Sequence, residues 1–130
     1  MKRRAECSCG QLAVTVEGEP LRLSVCHCLA CQRRTGSVFA MQARYLAANA
    51  RIEGRSTSFD RTGDEGGVAT FHFCPVCGST VHYGFTDLPE FLIVPVGAFA
   101  DPTFPAPTVS VYDERRHPSV GLPDAIVHEH

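Results

Sequence analysis

The sequence predicts a single domain built mostly of β-strands. Its 130 residues can form one hydrophobic core, and 44% apolar with 20% charged residues is the balance of a soluble globular protein. Apolar and polar residues alternate over several short segments, as they do in half-buried strands. Eleven glycines and nine prolines interrupt these segments and leave little room for long helices. We therefore expect one mostly β domain over residues 1–130, with a loose tail after about residue 120.

The first half of the chain is predicted to form strands around one short helix. Residues 28–34 are compatible with about two helical turns that stop at Gly36, and residues 45–49 with a further short turn. The predicted strands of this half cover residues 12–17, 21–25, 37–43 and 51–60.

The second half is predicted to contain hairpins and then an irregular segment. The glycine content of residues 61–67, Arg-Thr-Gly-Asp-Glu-Gly-Gly, predicts a hairpin loop. The prolines lie mostly after residue 88 and favour an extended, irregular last third. The predicted strands of this half cover residues 68–73, 79–85 and 91–96.

Seven cysteines in tight clusters indicate metal binding. An odd number cannot form a closed set of disulfides, and spacings of one or two residues let thiolates share an ion. No apolar run follows the basic residues at the N-terminus, so no secretory signal is expected, and thiols kept reduced suggest the cytoplasm. The clusters are Cys7 with Cys9, then Cys26, Cys28 and Cys31, then Cys74 with Cys77.

Four of the cysteines are predicted to bind a structural zinc ion. In Cys74-Pro-Val-Cys77-Gly78 the proline fixes the turn, and the glycine can adopt a positive φ. This knuckle supplies two ligands, whereas structural zinc takes four. Cys7 and Cys9 are the obvious second pair, and joining them to the knuckle would tie the N-terminus to the later strands.

Cys26, Cys28 and Cys31 are then left as three ligands, which is the number typical of a catalytic zinc with an exchangeable fourth position. Such a zinc suits binding and activating a substrate thiolate. The alternative is a second structural zinc with His27, His72 or His82 as fourth ligand. A redox role is less favoured, because no βαβ pattern surrounds these cysteines.

The arrangement of the cysteines resembles that of the glutathione-dependent formaldehyde-activating enzyme family, which includes relatives of centromere protein V. The matching motifs are Cys-x-Cys-Gly, Cys-His-Cys-x-x-Cys-x-Arg-Arg-x-Gly and Phe-Cys-x-x-Cys-Gly-Ser, and the resemblance covers about residues 6–123. It implies a β-tent fold of twisted antiparallel sheets around zinc. It also implies the same division of the cysteines into four structural and three active-site residues.

The family resemblance further implies a carbon–sulfur lyase, whose founding type condenses formaldehyde with glutathione to S-hydroxymethylglutathione. This chain departs from the family pattern at Ser119, where many relatives have a tryptophan after His-Pro. If that tryptophan helps to form the substrate pocket, substrate preference differs here. The same chemistry on another thiol adduct is therefore one alternative, and a non-catalytic, zinc-stabilised binding module is another.

Residues after the middle cluster are candidates for substrate binding. Arg33 and Arg34 could hold a substrate carboxylate such as those of glutathione, or form a solvated face, and Ser37 could offer a hydroxyl. The expected partner is a small thiol or thiol adduct. A net charge of −2 without a basic stripe argues against nucleic acid, and no apolar run is long enough for a membrane helix.

Overall fold

The computed structural model describes residues 1–129 and contains a three-stranded and an eight-stranded sheet. The small sheet is antiparallel with the order β1-β2-β5. It consists of β1 (Lys2–Glu6), β2 (Ala13–Glu17) and β5 (Ala50–Glu53). β1 was not predicted, because its sequence Lys-Arg-Arg-Ala-Glu lacks an apolar alternation.

The large sheet has the order β11-β10-β3-β4-β9-β8-β7-β6. Its pairings are antiparallel except that β10 runs parallel to both β3 and β11, which differs from the purely antiparallel sheets that were expected. The strands are β3 (Arg22–Cys26), β4 (Ala40–Leu46), β6 (Thr57–Thr62), β7 (Val68–Phe73), β8 (Thr80–Phe85), β9 (Leu88–Pro95), β10 (Val109–Val111) and β11 (Val127–Glu129). The mostly β class is confirmed.

Helix α1 (Leu29–Thr35) follows β3 and ends where the sequence predicted. Its C-cap Gly36 has φ 71°, the left-handed conformation that glycine adopts without strain. Three short 3-10 turns complete the regular structure, at Ala47–Asn49, Val96–Phe99 and Asp113–Arg115. Within residues 1–129, every helix is too short or too polar to cross a membrane.

The main core lies between the small sheet and one face of the large sheet. It joins Val14 and Val16 of β2 to Tyr45 of β4, Val81 of β8 and Val94 of β9, all of them fully or almost fully buried. The opposite face of the large sheet carries a second cluster around Phe71 and Tyr83. Two sheets over a shared core agree with the β-tent arrangement that the family resemblance implied.

Some strand boundaries differ from the sequence prediction. The strand expected over residues 51–60 is two strands, β5 and β6, that belong to different sheets. Gly54 separates them with φ 93°, a backbone conformation that breaks an extended strand. The strand expected over residues 37–43 is β4, which begins at Ala40, and the predicted loop 61–67 starts later because β6 continues to Thr62.

The sequence suggested a loose tail after about residue 120, and the last described residues of this segment pair with the large sheet. β11 pairs with β10, Ile126 is buried, and Arg22 forms an ion pair of 3.0 Å with Glu129. Backbone hydrogen bonds to the edge of the large sheet hold this segment. The segment is too short to show a sequence pattern that predicts such pairing.

Candidate metal centres and adjoining cavities

The sulfurs of Cys7, Cys9, Cys74 and Cys77 lie within 4.8 Å of one another. The Sγ of Cys9 is 3.6 Å from the Sγ of Cys7 and 3.6 Å from the Sγ of Cys74. Four sulfurs at about 2.3 Å from a tetrahedral zinc ion would be about 3.8 Å apart, whereas a disulfide needs about 2.05 Å. The cysteines are free, and their spacing fits one four-coordinate metal ion.

Tight turns bring both cysteine pairs of this four-cysteine cluster into position. Gly78, with φ 81°, donates from its backbone N–H to the carbonyl of Cys74 at 2.8 Å. The N–H of Val76 points to the Sγ of Cys74, and the N–H of Leu12 to the Sγ of Cys7, each at 3.3 Å. Such donors stabilise negative charge on sulfur, so the turns prepare thiolates for a cation.

Two polar side chains support the four-cysteine cluster. Gln11 donates from Nε2 to the Sγ of Cys74 at 2.9 Å. The backbone N–H and then the hydroxyl of Ser79 lower the pKa of Cys77 to about 5. The Ser79 hydroxyl also lies 3.0 Å from the hydroxyl of Ser8, which links the two turns directly.

The sulfurs of Cys26, Cys28 and Cys31 form a second group within 4.8 Å of one another. Cys26 ends β3, Cys28 is the N-cap of α1, and Cys31 lies in the first turn of the helix. The Cys28 sulfur accepts the N–H of Cys31 at 3.3 Å, in place of the oxygen that usually caps a helix. The strand end and the helix start therefore build this three-cysteine cluster from six consecutive residues.

The thiols of the three-cysteine cluster differ in the direction of their pKa shifts. Hydrogen bonds from Cys26 and then Cys31 lower the pKa of Cys28, while the Cys28 contact raises the pKa of Cys26. Cys26 and Cys31 are buried, and Cys28 is partly exposed. The cluster thus favours a thiolate at its most accessible sulfur, and a cation can replace the remaining thiol protons.

Within residues 1–129, no histidine or carboxylate joins the three-cysteine cluster. The ring of His27 is fully buried, and its Nε2 lies 3.0 Å from the Ser110 hydroxyl. Ser110 in turn donates to Asp113, so His27 Nε2–H is the donor to Ser110. His72 and His82 stack on each other at 4.4 Å between ring centroids. These contacts do not favour the alternative of a histidine as fourth ligand.

A cavity of about 400 Å³ borders the three-cysteine cluster at Cys28. We call it the polar cavity, because its wall carries charges of both signs. Arg61 and Arg115 contribute two guanidinium groups, and Asp64 and Glu114 contribute two carboxylates. Cys28 is thereby accessible from a space that can accommodate a small molecule with both positive and negative groups.

A second cavity of about 590 Å³ lies on the other side of Arg61. We call it the aromatic cavity, because Phe59, Phe71 and Phe73 line it together with Arg33, Arg34 and Arg61. The Cζ atom of Arg34 is 4.9 Å from the centre of the Phe71 ring. The predicted candidates Arg33 and Arg34 therefore line a cavity beside the three-cysteine cluster.

Ser37 is placed differently from the two arginines. It follows Gly36 at the C-terminal end of α1, where its N–H donates to the Thr35 hydroxyl at 3.0 Å, and it lines neither cavity.

Arg61 and the phenylalanines of the aromatic cavity were not identified from the sequence. Arg61 was assigned to a hairpin loop, although it belongs to β6 and its side chain lines both cavities. The available signal was the two-residue spacing of Phe59 with Arg61 and of Phe71 with Phe73, which puts these side chains on one sheet face.

Comparisons with known proteins agree with this architecture. Residues 2–115 match the family described as glutathione-dependent formaldehyde-activating enzyme. A crystal structure of a Rhodobacter sphaeroides protein, a structural genomics target, is similar with 26% identity and a TM-score of 0.57. That similarity covers 73% of this chain and 85% of the other. No curated protein matches the sequence.

Proposed function

Because the chain belongs to the glutathione-dependent formaldehyde-activating enzyme family, we propose that it is a zinc-dependent carbon–sulfur lyase. Its reaction would resemble that of S-(hydroxymethyl)glutathione synthase, joining a thiol and an aldehyde or releasing them from their adduct. The observation that carries this proposal is a group of three cysteines whose most accessible member, Cys28, opens on a cavity. The thiols of both clusters need a reducing compartment, so we place the protein in the cytoplasm.

The donor sets support zinc at both clusters. Cys7, Cys9, Cys74 and Cys77 would hold a structural ion in a closed four-sulfur site. Cys26, Cys28 and Cys31 would hold a second ion, which, when bound with one open position, lowers the pKa of a coordinated substrate thiol. The polar cavity reaches the three-cysteine cluster at Cys28, so a substrate thiol could approach a bound ion from that cavity.

The charges of the polar cavity suit glutathione, which carries two carboxylates and one ammonium group. Arg61 and Arg115 can bind the carboxylates, and Asp64 or Glu114 the ammonium. Binding in this orientation holds the thiol beside Cys28, so that reaction with an aldehyde becomes effectively intramolecular. The sulfur–carbon bond forms, the carbonyl π bond opens, and the thiol proton ends on the carbonyl oxygen.

Arg33 and Arg34 are proposed to bind a substrate carboxylate in the aromatic cavity. Guanidinium groups bind carboxylates through two parallel hydrogen bonds, which also fixes orientation. Ser37 remains a sequence prediction that the position of this residue at the far end of α1 does not favour.

The proposal can be tested by measuring zinc content and the sulfur coordination of zinc by X-ray absorption, with and without glutathione. We expect two zinc ions per chain, one of which gains a sulfur neighbour when glutathione is added. Cys28→Ser should abolish that gain and slow the exchange between formaldehyde and S-hydroxymethylglutathione, followed by NMR. Two closed four-ligand sites unchanged by glutathione would instead support a non-catalytic module and overturn the proposal.

A further inference from the structure

The aromatic cavity has an apolar floor that neither glutathione nor formaldehyde requires. Phe59 of β6 pairs in register with Phe71 of β7, and Phe71 with Tyr83 of β8, so their side chains share one face of the large sheet. Phe59 is 64% exposed although it is a large aromatic residue. An apolar surface of this kind at the wall of a cavity is typical of a small-molecule site.

The positive charge of the aromatic cavity is not neutralised by neighbouring acids. Within residues 1–129, Arg33, Arg34 and Arg61 form no ion pair, whereas Arg3, Arg4, Arg22 and Arg51 each do. The Nε of Arg34 is buried without a hydrogen-bond partner among the same residues. The wall of the aromatic cavity therefore carries positive charge that is available to an anionic ligand.

The thiolates of the three-cysteine cluster account for only part of this excess. Three thiolates with one Zn²⁺ carry a formal charge of −1, whereas the three guanidinium groups carry +3. When Arg61 binds a glutathione carboxylate, Arg33 and Arg34 still carry +2 at the aromatic cavity. Two of those groups are also fixed against aromatic rings, because Arg34 and Arg61 each lie 4.9 Å from the centre of Phe71. They are therefore held in place for a ligand rather than free in solvent.

From this combination we propose that the aromatic cavity binds a carboxylate carried on an aromatic or similarly bulky apolar group. This inference rests on the proposed function and deepens it. It identifies the aldehyde substrate as a molecule that carries an aldehyde and a carboxylate on one apolar group. Ala30 and Arg61 line both cavities, so one adduct can place its thiol part in the polar cavity and its acid part in the aromatic cavity.

The addition itself needs no further reactant. The thiol sulfur forms a bond to the aldehyde carbon, the carbonyl π electrons move to oxygen, and the thiol proton is transferred to that oxygen. The remote carboxylate takes no part in bond making. Its role is to bind, since contacts away from the reacting atoms supply the energy that orients them.

The binding site is tested by isothermal titration of the zinc-loaded protein with 4-methylbenzoate, which has neither a thiol nor an aldehyde. Arg33→Gln and Phe59→Ser change exposed side chains and should leave the fold intact. Each should weaken binding about tenfold or more, which corresponds to about 1.4 kcal/mol. Arg55→Gln is the matched control, because Arg55 is exposed and lines neither cavity, and it should bind as the unchanged protein does.

Two further probes separate charge from apolar contact. Acetate has the charge without the ring, and 4-methylbenzyl alcohol has the ring without the charge, so both should bind at least about tenfold more weakly than 4-methylbenzoate. The proposed site is overturned if acetate or 4-methylbenzyl alcohol binds as tightly as 4-methylbenzoate. It is also overturned if Arg33→Gln and Phe59→Ser bind 4-methylbenzoate as tightly as the unchanged protein.

The site and the proposed reaction fail in distinguishable ways. 4-Methylbenzoate binding without catalysis of any glutathione–aldehyde reaction overturns only the proposed function. Catalysis with formaldehyde but no 4-methylbenzoate binding overturns only the site. Both hold if 4-formylbenzoate with glutathione reacts faster than benzaldehyde and loses that advantage in Arg33→Gln.

Discussion

Gln11 donates a hydrogen bond of 2.9 Å from Nε2 to the sulfur of Cys74, across 63 positions of the chain. The same amide also binds the backbone of Arg55, by donating to its carbonyl at 2.8 Å and accepting its N–H at 3.0 Å. One side chain thus joins the four-cysteine cluster to the segment between the two sheets. Donors of this kind orient metal ligands and tune their charge.

Replacing Gln11 by alanine should weaken metal binding at the four-cysteine cluster. The variant loses a donor to the Cys74 sulfur, and such outer contacts are worth about 10–100-fold in metal affinity. Competition with a chromogenic chelator measures the loss. Gln42→Ala is the control, because Gln42 binds Ser24 at 3.0 Å and contacts no cysteine cluster. Equal zinc retention in both variants would show that the Gln11 contact is dispensable.

Gly54→Ala should destabilise the fold strongly. Gly54 has φ 93°, and an added Cβ would lie 1.8 Å from the carbonyl oxygen of Gln11. Relief of that clash must move backbone, so we expect a loss of roughly 3 kcal/mol or more in the free energy of unfolding, measured by urea denaturation. Gly121→Ala meets open space and should change stability by less than about 0.5 kcal/mol. Similar midpoints for the two variants would contradict this view of Gly54.

Cysteine-to-serine changes in the two clusters should have different consequences. Cys77→Ser removes a ligand from a cluster that links distant segments, so the protein should lose zinc and become insoluble. Cys28→Ser removes a ligand from a cluster formed by neighbouring residues, so the protein should stay folded and lose activity. We would test this difference by measuring the circular dichroism, zinc content and activity of both variants. Equal collapse of the two would refute the division into structural and catalytic sites.

Acidification should destabilise the protein partly through His82. Burial, and then the charge of His72, lower the pKa of His82 to about 4. In the unfolded chain the pKa is about 6.5. Between these values the unfolded chain binds a proton that the folded chain does not, so stability falls as the pH decreases from 6.5 to 4.

His82→Phe should reduce that pH dependence. The free energy of unfolding, measured at several pH values between 6.5 and 4, should fall less steeply for the variant than for the unchanged protein. Loss of zinc at acidic pH affects both proteins alike, so the difference between the slopes isolates His82. Parallel curves would mean that His82 does not titrate differently on folding.

The cysteine pairs and the three-cysteine cluster could be predicted from the sequence because their members are close neighbours in the chain. The spacing of Cys74 and Cys77, or of Cys28 and Cys31, indicates metal binding without knowledge of the fold. Helix α1 was likewise predictable, since its end depends on a local property of Gly36.

The aromatic cavity could not be predicted, because it depends on which strands are neighbours. Phe59 and Phe71 meet only through the register of β6 and β7, and Arg34 of α1 reaches the Phe71 ring only in the folded chain. β10 and β11 escaped prediction for another reason. Each has three residues, and both run parallel to their partners, which requires long connections without a turn motif.

The separation of Cys9 from Cys74 by 65 positions has a consequence for synthesis on the ribosome. At about 5–20 residues per second, the pair Cys7 and Cys9 waits roughly 3–13 s for its partners to be translated. The three-cysteine cluster is complete only five residues after its first cysteine, Cys26. The nascent chain therefore presents its locally built cluster first, and it closes the long-range one last.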